Sequence, residues 1–187
     1  MHQGFAVFPL QVKGKKPLTT HGVKDASKDP AVIKGWWQTW PQANIGIATG
    51  QVSGGLCVID MDIDESKGLD GWKSLRDWQD GHGIIAPSWM CNTGRGGHHY
   101  YFLADEPVTN RVGVIPGVDI RGDGGYIVAP PSIHPNGTPY TWDKACDPEI
   151  MPLHSIDDNI RFLLHKGSSG ATMKYLAPTK IPEGERN

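Results

Sequence analysis

A short run in which apolar and acidic residues alternate limits the fold of this chain more than any other feature. Residues 56–64 read Leu-Cys-Val-Ile-Asp-Met-Asp-Ile-Asp. Alternate side chains of a β-strand point to opposite faces, so the apolar residues share one face and Asp60, Asp62 and Asp64 share the other. The pattern predicts a strand with an ordinary core face and a second face on which carboxylates lie about 7 Å apart.

The acidic face of this strand has two interpretations. Charged runs at strand ends are commonly solvated, and like charges stacked on one face repel each other. Here the acids directly follow a purely apolar run, which favours a shared metal ion, because carboxylate oxygens are the ligands of hard divalent cations. We expect Asp60 and Asp62 to bind metal, whereas Asp64, nearest the following turn, is expected to be an exposed or helix-capping acid.

The remaining periodicity indicates three helices among short strands. Asp29 is a favourable N-cap for a helix that begins at Pro30, carries its tryptophans on one face and ends before Pro41. A second helix is expected over Leu69–Gln79 and a third from near Ser155. Strands are expected at these segments: Phe5–Phe8, Ile45–Ala48, Leu56–Ile63, His99–Leu103, Val118–Arg121, Tyr126–Ala129 and Tyr140–Trp142. Three helices are too few for a doubly wound sheet, so the sequence predicts an α+β fold with a mixed or mainly antiparallel sheet.

Composition is that of a globular protein. The 187 residues are 38% hydrophobic and 20% charged, which is enough for one sizeable domain. No stretch has the length of a membrane span, and the N-terminus lacks the pattern of a signal peptide. The three cysteines are widely spaced without a CxxC pair, which argues against a zinc knuckle or a disulfide framework and favours a cytoplasmic protein. With a net charge of −2, any basic groove for nucleic acid must be local.

A glycine-rich turn opens the second motif, TGRGGHHYYF. Gly96 and Gly97 allow backbone amides to approach an anion closely, and Arg95 adds a positive charge beside them. The motif lacks the residues of a P-loop and of a dinucleotide-binding turn, and a plain hairpin is the alternative. Alternation in the following strand puts His98 and His99 on opposite faces, so one histidine is expected to face the carboxylates while the other packs or lies exposed.

The run GVDIRGDGGY supplies a third acid. Alternation places Asp119 and Arg121 on one face of a strand. Asp119 is expected to complete a three-carboxylate site with Asp60 and Asp62, and Arg121 to offer a planar fork to a phosphate. An Asp–Arg pair on a hairpin surface is the alternative.

Two loops are candidates for further contacts. In APPSIHPNG the consecutive prolines fix the backbone, which either directs Ser132 and His134 toward a ligand or serves as a rigid connection. The basic loop that contains Lys15 and Lys16 is either a phosphate contact or a solvated turn, and the second interpretation is favoured.

In this order the motifs resemble the bifunctional primase-polymerase family of plasmid and phage replication proteins, within the archaeo-eukaryotic primase superfamily. The resemblance rests on four segments: GKKPL with the tryptophan helix and NIGIATG; VIDMDID; TGRGGHHYYF; and GVDIRGDGGYIVAPPSIHPNG with the following YTW. We interpret residues 1–166 as the catalytic domain. Residues 167–187 are interpreted as a linker and the start of a missing C-terminal region, which in such proteins often leads to a helicase.

The resemblance implies two packed α/β units, one with a sheet like that of an RNA-recognition motif, and an active site between them. It implies that Asp60, Asp62 and Asp119 bind two divalent cations, Mg²⁺ or Mn²⁺, and that His99 contacts the phosphates of the incoming nucleotide. Gly97 occupies the position of a serine in the family's motif. Further nucleotide contacts are expected from these residues: Arg95, Gly96, Gly97, Arg121 and Ser132.

The function implied is template-directed nucleotidyl transfer by a two-metal mechanism. The expected partners are a single-stranded DNA template, a primer strand and dNTPs or NTPs. Three rivals remain open from the residues alone. A metal-dependent nuclease would use the same carboxylates to activate water, a non-catalytic nucleic-acid-binding module would not need aligned acids, and a DxD-type glycosyltransferase would need a longer chain.

Overall fold

The computed structural model describes residues 4–165, which form two antiparallel sheets, a short hairpin and three helices. The strands are β1 (Val7–Leu10), β2 (Asn44–Ala48), β3 (Leu56–Met61), β4 (Ile63–Asp64), β5 (Leu69–Asp70), β6 (Met90–Asn92), β7 (His98–Leu103), β8 (Arg111–Ile115), β9 (Val118–Arg121), β10 (Tyr126–Ala129) and β11 (Thr141–Trp142). The larger sheet has the order β11-β6-β7-β3-β9-β8, the smaller has the order β1-β2-β10, and β4 pairs with β5. The predicted α+β class is confirmed.

The helices are α1 (Pro30–Thr39), α2 (Gly71–His82) and α3 (Asp158–His165). As predicted, α1 is capped by Asp29, whose side chain accepts a hydrogen bond from the Ala31 amide at 2.8 Å, and Pro30 is its first residue. Every residue of α1 keeps some exposure, whereas α2 and α3 each bury an apolar face.

The central strand β3 is buried on both faces. On one face Ile59 and Met61 pack in a core with residues of α2 and α3, including Leu75 and Leu163. On the other face Leu56 and Val58 pack in a second core with Phe8, Ile47 and Ile127 of the smaller sheet. Asp60 belongs by alternation to this second face, so its carboxylate points into the space between the two sheets.

The acidic run is not one continuous strand, contrary to prediction. β3 ends at Met61, because the Asp62 amide donates to the Gly117 carbonyl at 2.8 Å and the Asp62 carbonyl accepts from the Gly71 amide at 2.9 Å. These bonds pull the chain out of the sheet, and Ile63–Asp64 then pairs with Leu69–Asp70 in a separate hairpin.

Two predicted helix starts were too early. The second helix begins at Gly71 because the two residues before it pair with β4, and the Asp70 side chain caps the helix by accepting from the Lys73 amide. The third begins at Asp158 because the chain near Ser155 runs along β7, where the Ile156 amide donates to the Leu103 carbonyl at 2.8 Å.

Strands β6 and β8 were not predicted. β6 has only three residues, too few for alternation to be recognised. β8 is an edge strand with a register irregularity against β9, and Gly113, at φ +64°, interrupts the alternation of its apolar residues. Among residues 4–165, no helix has the length and apolar character needed to cross a membrane.

Candidate active site

The pairing of three strands brings the predicted site residues into one row. In the antiparallel register of the large sheet, Asp60 of β3 is opposite His99 of β7 on one side and opposite Asp119 of β9 on the other. Directly opposed residues in a sheet present their side chains on the same face. The row therefore gathers two acids and one histidine from three segments that are distant in sequence.

Asp62 joins this row from beyond the end of β3. One carboxylate oxygen from each of Asp60, Asp62 and Asp119 lies within 4.8 Å of the others. Asp60 is buried, Asp119 is partly buried and Asp62 is exposed. Although Asp62 as a whole residue is exposed, its carboxylate is partly desolvated. This desolvation and the negative charge of Asp60 raise the pKa of Asp62 above its ordinary value, whereas the ammonium of Lys15 opposes the shift. Three carboxylates at this spacing repel one another, and a bound divalent cation would relieve that repulsion.

Arg121 holds two of the acids together. Its Nε and Nη2 donate to Asp60 Oδ2 at 3.0 and 2.9 Å, and the same Nη2 donates to Asp119 Oδ2 at 2.9 Å. Burial alone would lower the pKa of Arg121, but the carboxylates of Asp60 and Asp119 raise it. Asp119 is also fixed by the Gly113 amide, which donates to its Oδ1 at 2.8 Å. The guanidinium therefore offsets the repulsion between the two acids.

His99 faces the carboxylates and His98 faces away from them. The Nε2 atom of His99 lies 3.5 Å from Asp60 Oδ1. Burial lowers the pKa of His99 despite the nearby Asp60 carboxylate, which favours the neutral ring. His98 instead lies on the opposite face, where its ring packs against Trp72 at 5.1 Å and its Nδ1 contacts Asn92 Oδ1 at 3.0 Å.

A cavity of about 280 Å³ lies beside Asp60, between the two sheets. Its polar side chains include those of Asp60, His99 and Arg121. The smaller sheet contributes its strand β10, and two tyrosines flank the space. The lining residues are Lys15, Asp60, His99, Arg121, Gly124, Gly125, Tyr126, Ile127, Val128 and Tyr140.

Lys15 lines this cavity, although the sequence favoured a solvated turn over a phosphate contact for its loop. The loop is fastened on two sides, because Asn44 Nδ2 donates to the Gly14 carbonyl at 2.9 Å and the Tyr126 hydroxyl donates to the Lys15 carbonyl at 3.1 Å. These bonds hold the lysine at the cavity, where it can attract an anion. The basic loop was recognised in the sequence, but its position was not, since both bonds come from residues distant in the chain.

The glycine turn of TGRGGHHYYF packs against the end of β3. A Cβ atom at Gly97 would lie 2.3 Å from the Met61 carbonyl oxygen and 3.4 Å from the Asp62 Cα. This approach leaves no room for a serine side chain and places the turn beside an acid of the cluster. Arg95 and Gly96 are exposed on the same turn, and the positive charge of Arg95 acts on Asp64.

Ser132 lies outside the residues that line the cavity. It is buried, and its Oγ accepts a hydrogen bond from the Ile45 amide at 2.8 Å, which ties the proline loop to β2. His134 is also buried, and its Nδ1 accepts from the Asn136 amide at 3.3 Å. Both side chains therefore organise the loop after the cis peptide bond between Pro130 and Pro131.

Asp64 is not a member of the carboxylate cluster. Its side chain accepts from the Ser66 hydroxyl at 2.6 Å and pairs with Lys67 at 3.0 Å. Burial raises the pKa of the Cys91 and Cys57 thiols to about 12, and neither thiol belongs to the cluster. Among the described residues, the acidic cluster thus offers oxygen ligands alone, which suits hard cations.

Comparison with known families identifies the chain. The family model described as bifunctional DNA primase/polymerase, N-terminal, matches residues 1–154. A search of curated proteins found no match. The match covers most of the 187 residues, so the chain belongs to this family, as its motifs predicted. Its activity is therefore of the DNA primase/polymerase type, a nucleotidyl transfer whose substrates are DNA and nucleotides.

Proposed function

We propose that this member of the bifunctional primase/polymerase family starts primers on single-stranded DNA and extends them, in plasmid or phage replication. The observation that carries the proposal is the convergence of Asp60, Asp62 and Asp119 within 4.8 Å of one another, next to a cavity lined by His99 and Arg121. A binding module without chemistry would have no use for three converging acids, which repel a phosphate backbone.

The acidic cluster fits a divalent cation. Its donors are carboxylate oxygens, which hard cations such as Mg²⁺ or Mn²⁺ prefer. The oxygens also lie close enough together to share bound ions of this size. Asp60, Asp62 and Asp119 would hold two such ions. When bound, the ions would lower the pKa of the primer 3′-hydroxyl and offset charge on the triphosphate.

The protein's own cations surround the space left for the triphosphate. Arg121 and Lys15 line the cavity and present positive charge to it, and Arg121 keeps Asp60 and Asp119 in place. His99, being neutral, donates a hydrogen bond to a phosphate oxygen without adding a charge that would repel a metal ion. These three side chains orient the nucleotide and stabilise charge that develops during transfer.

The glycine turn also contributes to the proposed site, through Arg95, Gly96 and Gly97. Their turn touches the end of β3 near Asp62, so its exposed side, with Arg95, is available to a phosphate of the nucleotide or primer. For Ser132 we propose an indirect part, since its hydroxyl fixes the loop to β2, which borders the β10 side of the cavity.

The same proposal extends to the setting of the protein. Residues 1–166 act as the catalytic domain, and a helicase is the expected working partner; residues 167–187 lie outside the described part of the chain. The protein acts in the cytoplasm of a plasmid- or phage-bearing cell, where template and nucleotides are found.

The test is incubation of the protein with labelled primer–template, dNTPs and Mg²⁺ or Mn²⁺. Lengthening of the primer is expected, whereas shortening would identify a nuclease. Asp60→Ala and Asp119→Ala should abolish lengthening, and Asp64→Asn, which alters an acid outside the cluster, should leave it within about twofold. Synthesis that survives in either alanine variant would reject the assigned site. De novo synthesis on unprimed single strands, with dNTPs or NTPs, then measures priming itself.

A further inference from the structure

Positive charge is concentrated in the first part of the chain. Residues 1–59 contain six lysines, no arginine and two aspartates, a balance of +4. Since the whole chain has a net charge of −2, the remaining residues carry −6. One of the two early acids, Asp25, is already paired with His21 at 2.9 Å. The unit that contains β1, α1 and β2 is therefore basic although the protein as a whole is acidic, and it is suited to a polyanion.

An open groove of about 450 Å³ lies on this basic unit, where the loop after β1 meets the end of α1. Apolar side chains dominate its surface. The lining residues are Gln11, Val12, Leu18, Thr39, Trp40, Pro41 and Gln42. Val12 is 53% exposed, although it is a large apolar residue, and Trp40 is partly exposed. We call this the Trp40 groove.

Trp40 is partly exposed at the groove, and its surroundings differ from those of four other tryptophans. Trp72, Trp78, Trp89 and Trp142 each pack against another aromatic ring. Among residues 4–165, no aromatic ring packs against that of Trp40. An indole at the edge of an apolar groove with exposed lysines on the adjoining loop can stack on a nucleic-acid base, and such stacking does not depend on base identity.

The lysine loop joins the Trp40 groove to the catalytic cavity. Gln11 and Val12 line the groove at one end of the loop, and Lys15 lines the cavity at the other. Hydrogen bonds across the loop, from the Gln11 amide to the Lys16 carbonyl at 2.8 Å and from the Gly14 amide to the Gln11 carbonyl at 2.9 Å, give it a defined shape. Lys13 and Lys16 on this loop are exposed.

We propose that the Trp40 groove binds single-stranded DNA and guides the template toward the cavity. An unpaired base stacks on Trp40 against Val12 and Leu18, and the phosphates on either side contact Lys13 and Lys16. The strand then follows the loop to Lys15. Naming this strand the template rests on the proposed function, whereas the binding of single-stranded DNA does not, because it uses none of the carboxylates.

The test measures binding without catalysis. Anisotropy of a fluorescein-labelled oligodeoxythymidylate is titrated with the full chain in EDTA and without nucleotide. Trp40→Ala should weaken binding about tenfold, and Trp40→Phe, which keeps an aromatic face, by no more than about twofold. Val12→Glu should also weaken binding about tenfold, and since Val12 is exposed this change does not disturb the core.

The salt dependence tests the lysines separately. Neutralising Lys13 and Lys16 together as Lys→Gln should lower the slope of log affinity against log salt by about 1.4, because each phosphate contact on a single strand contributes about 0.7. Lys73→Gln removes one lysine charge on α2, where the lysine pairs with Asp77, and should leave the slope unchanged.

Wild-type affinity for DNA in both Trp40→Ala and Val12→Glu would overturn the proposal. If these variants also lost a concentration-dependent dimer in sedimentation, the groove would be assigned to self-association instead. Primer extension by Asp60→Ala is measured in parallel, because it tests the proposed function and does not test the Trp40 groove. If that variant still extended primers while Trp40→Ala lost DNA binding, the active-site assignment would fail and the groove would stand.

Discussion

Asp60 and Asp119 are direct cross-strand partners on β3 and β9, although a hairpin, a helix and three further strands separate them in the chain. Arg121 bonds to both of them from the same face. The two acids are thus held close together by backbone pairing, and the guanidinium keeps their repulsion small.

Arg121→Gln should lower the free energy of unfolding in EDTA by about 2 kcal/mol. The change leaves the buried Asp60 carboxylate without its main counter-charge, and the partial exposure of Arg121 limits the cost. Urea denaturation checks this value. Arg161→Gln is the matched control, because Arg161 pairs with the exposed acids Asp105 and Glu106 and its loss should cost less than about 1 kcal/mol.

Mn²⁺ should stabilise the Arg121→Gln variant more than the wild-type protein. In the variant, a cation replaces the missing positive charge beside Asp60 and Asp119, and it stabilises the folded state in proportion to its occupancy. Urea midpoints with and without Mn²⁺ give the comparison. Equal stabilisation of both proteins would mean that the ion binds elsewhere.

His99→Asn should reduce kcat/KM for nucleotide addition about a hundredfold, since in the proposed site it removes a hydrogen-bond donor to the reacting phosphates. His98→Gln is the matched change on the opposite face of β7, where the ring packs on Trp72, and should alter kcat/KM by no more than about twofold. Steady-state kinetics on a primed template measures both. Equal losses in the two variants would point to a general disturbance of β7.

Lys15→Gln should raise KM for the incoming nucleotide about tenfold with little change in kcat, because the lysine supplies charge to bind the triphosphate and does not touch the carboxylates. Lys24→Gln provides the comparison, since it removes an exposed lysine of the same basic unit. Displacement of a fluorescent nucleotide analogue gives affinities independently of turnover. If both variants bound the nucleotide as tightly as wild type, Lys15 would have no part in the site.

Gly97→Ala should destabilise the protein by about 2 kcal/mol, because the added methyl group would lie 2.3 Å from the Met61 carbonyl oxygen. Gly81→Ala on α2 meets nothing within 4 Å and should instead stabilise the protein by about 0.5 to 1 kcal/mol. Thermal and urea unfolding measure both. A neutral Gly97→Ala would mean that the turn can move away from β3.

Strand alternation was enough to predict most of the acidic site. It placed Asp60 and Asp119 on polar faces and separated His99 from His98, and antiparallel pairing then puts these residues in one row. Asp62 was predicted as a member of the cluster, and it belongs to it, but it lies beyond the strand. Its place depends on bonds to Gly117 and Gly71, which alternation does not encode.

The smaller sheet's contribution could not be predicted from local patterns. Lys15 reaches the cavity because Asn44 and Tyr126 hold its loop, and both are far away in sequence. Ser132 accepts the Ile45 amide, a partner that depends on how the proline loop returns to β2, and its predicted contact with the nucleotide stays a prediction. For both residues, contacts with distant parts of the chain determine the position of the side chain, and local sequence patterns do not encode such contacts.

The main chain of Asp62 is held by the turn before β9 on one side and by the first residue of α2 on the other. Asp60, in contrast, lies between two neighbouring strands. Fraying of the first turn of α2 on warming would therefore displace one acid and leave the other in place. Cation affinity should then decline at temperatures where the sheets are still intact, and the centre would lose its activity before the protein melts.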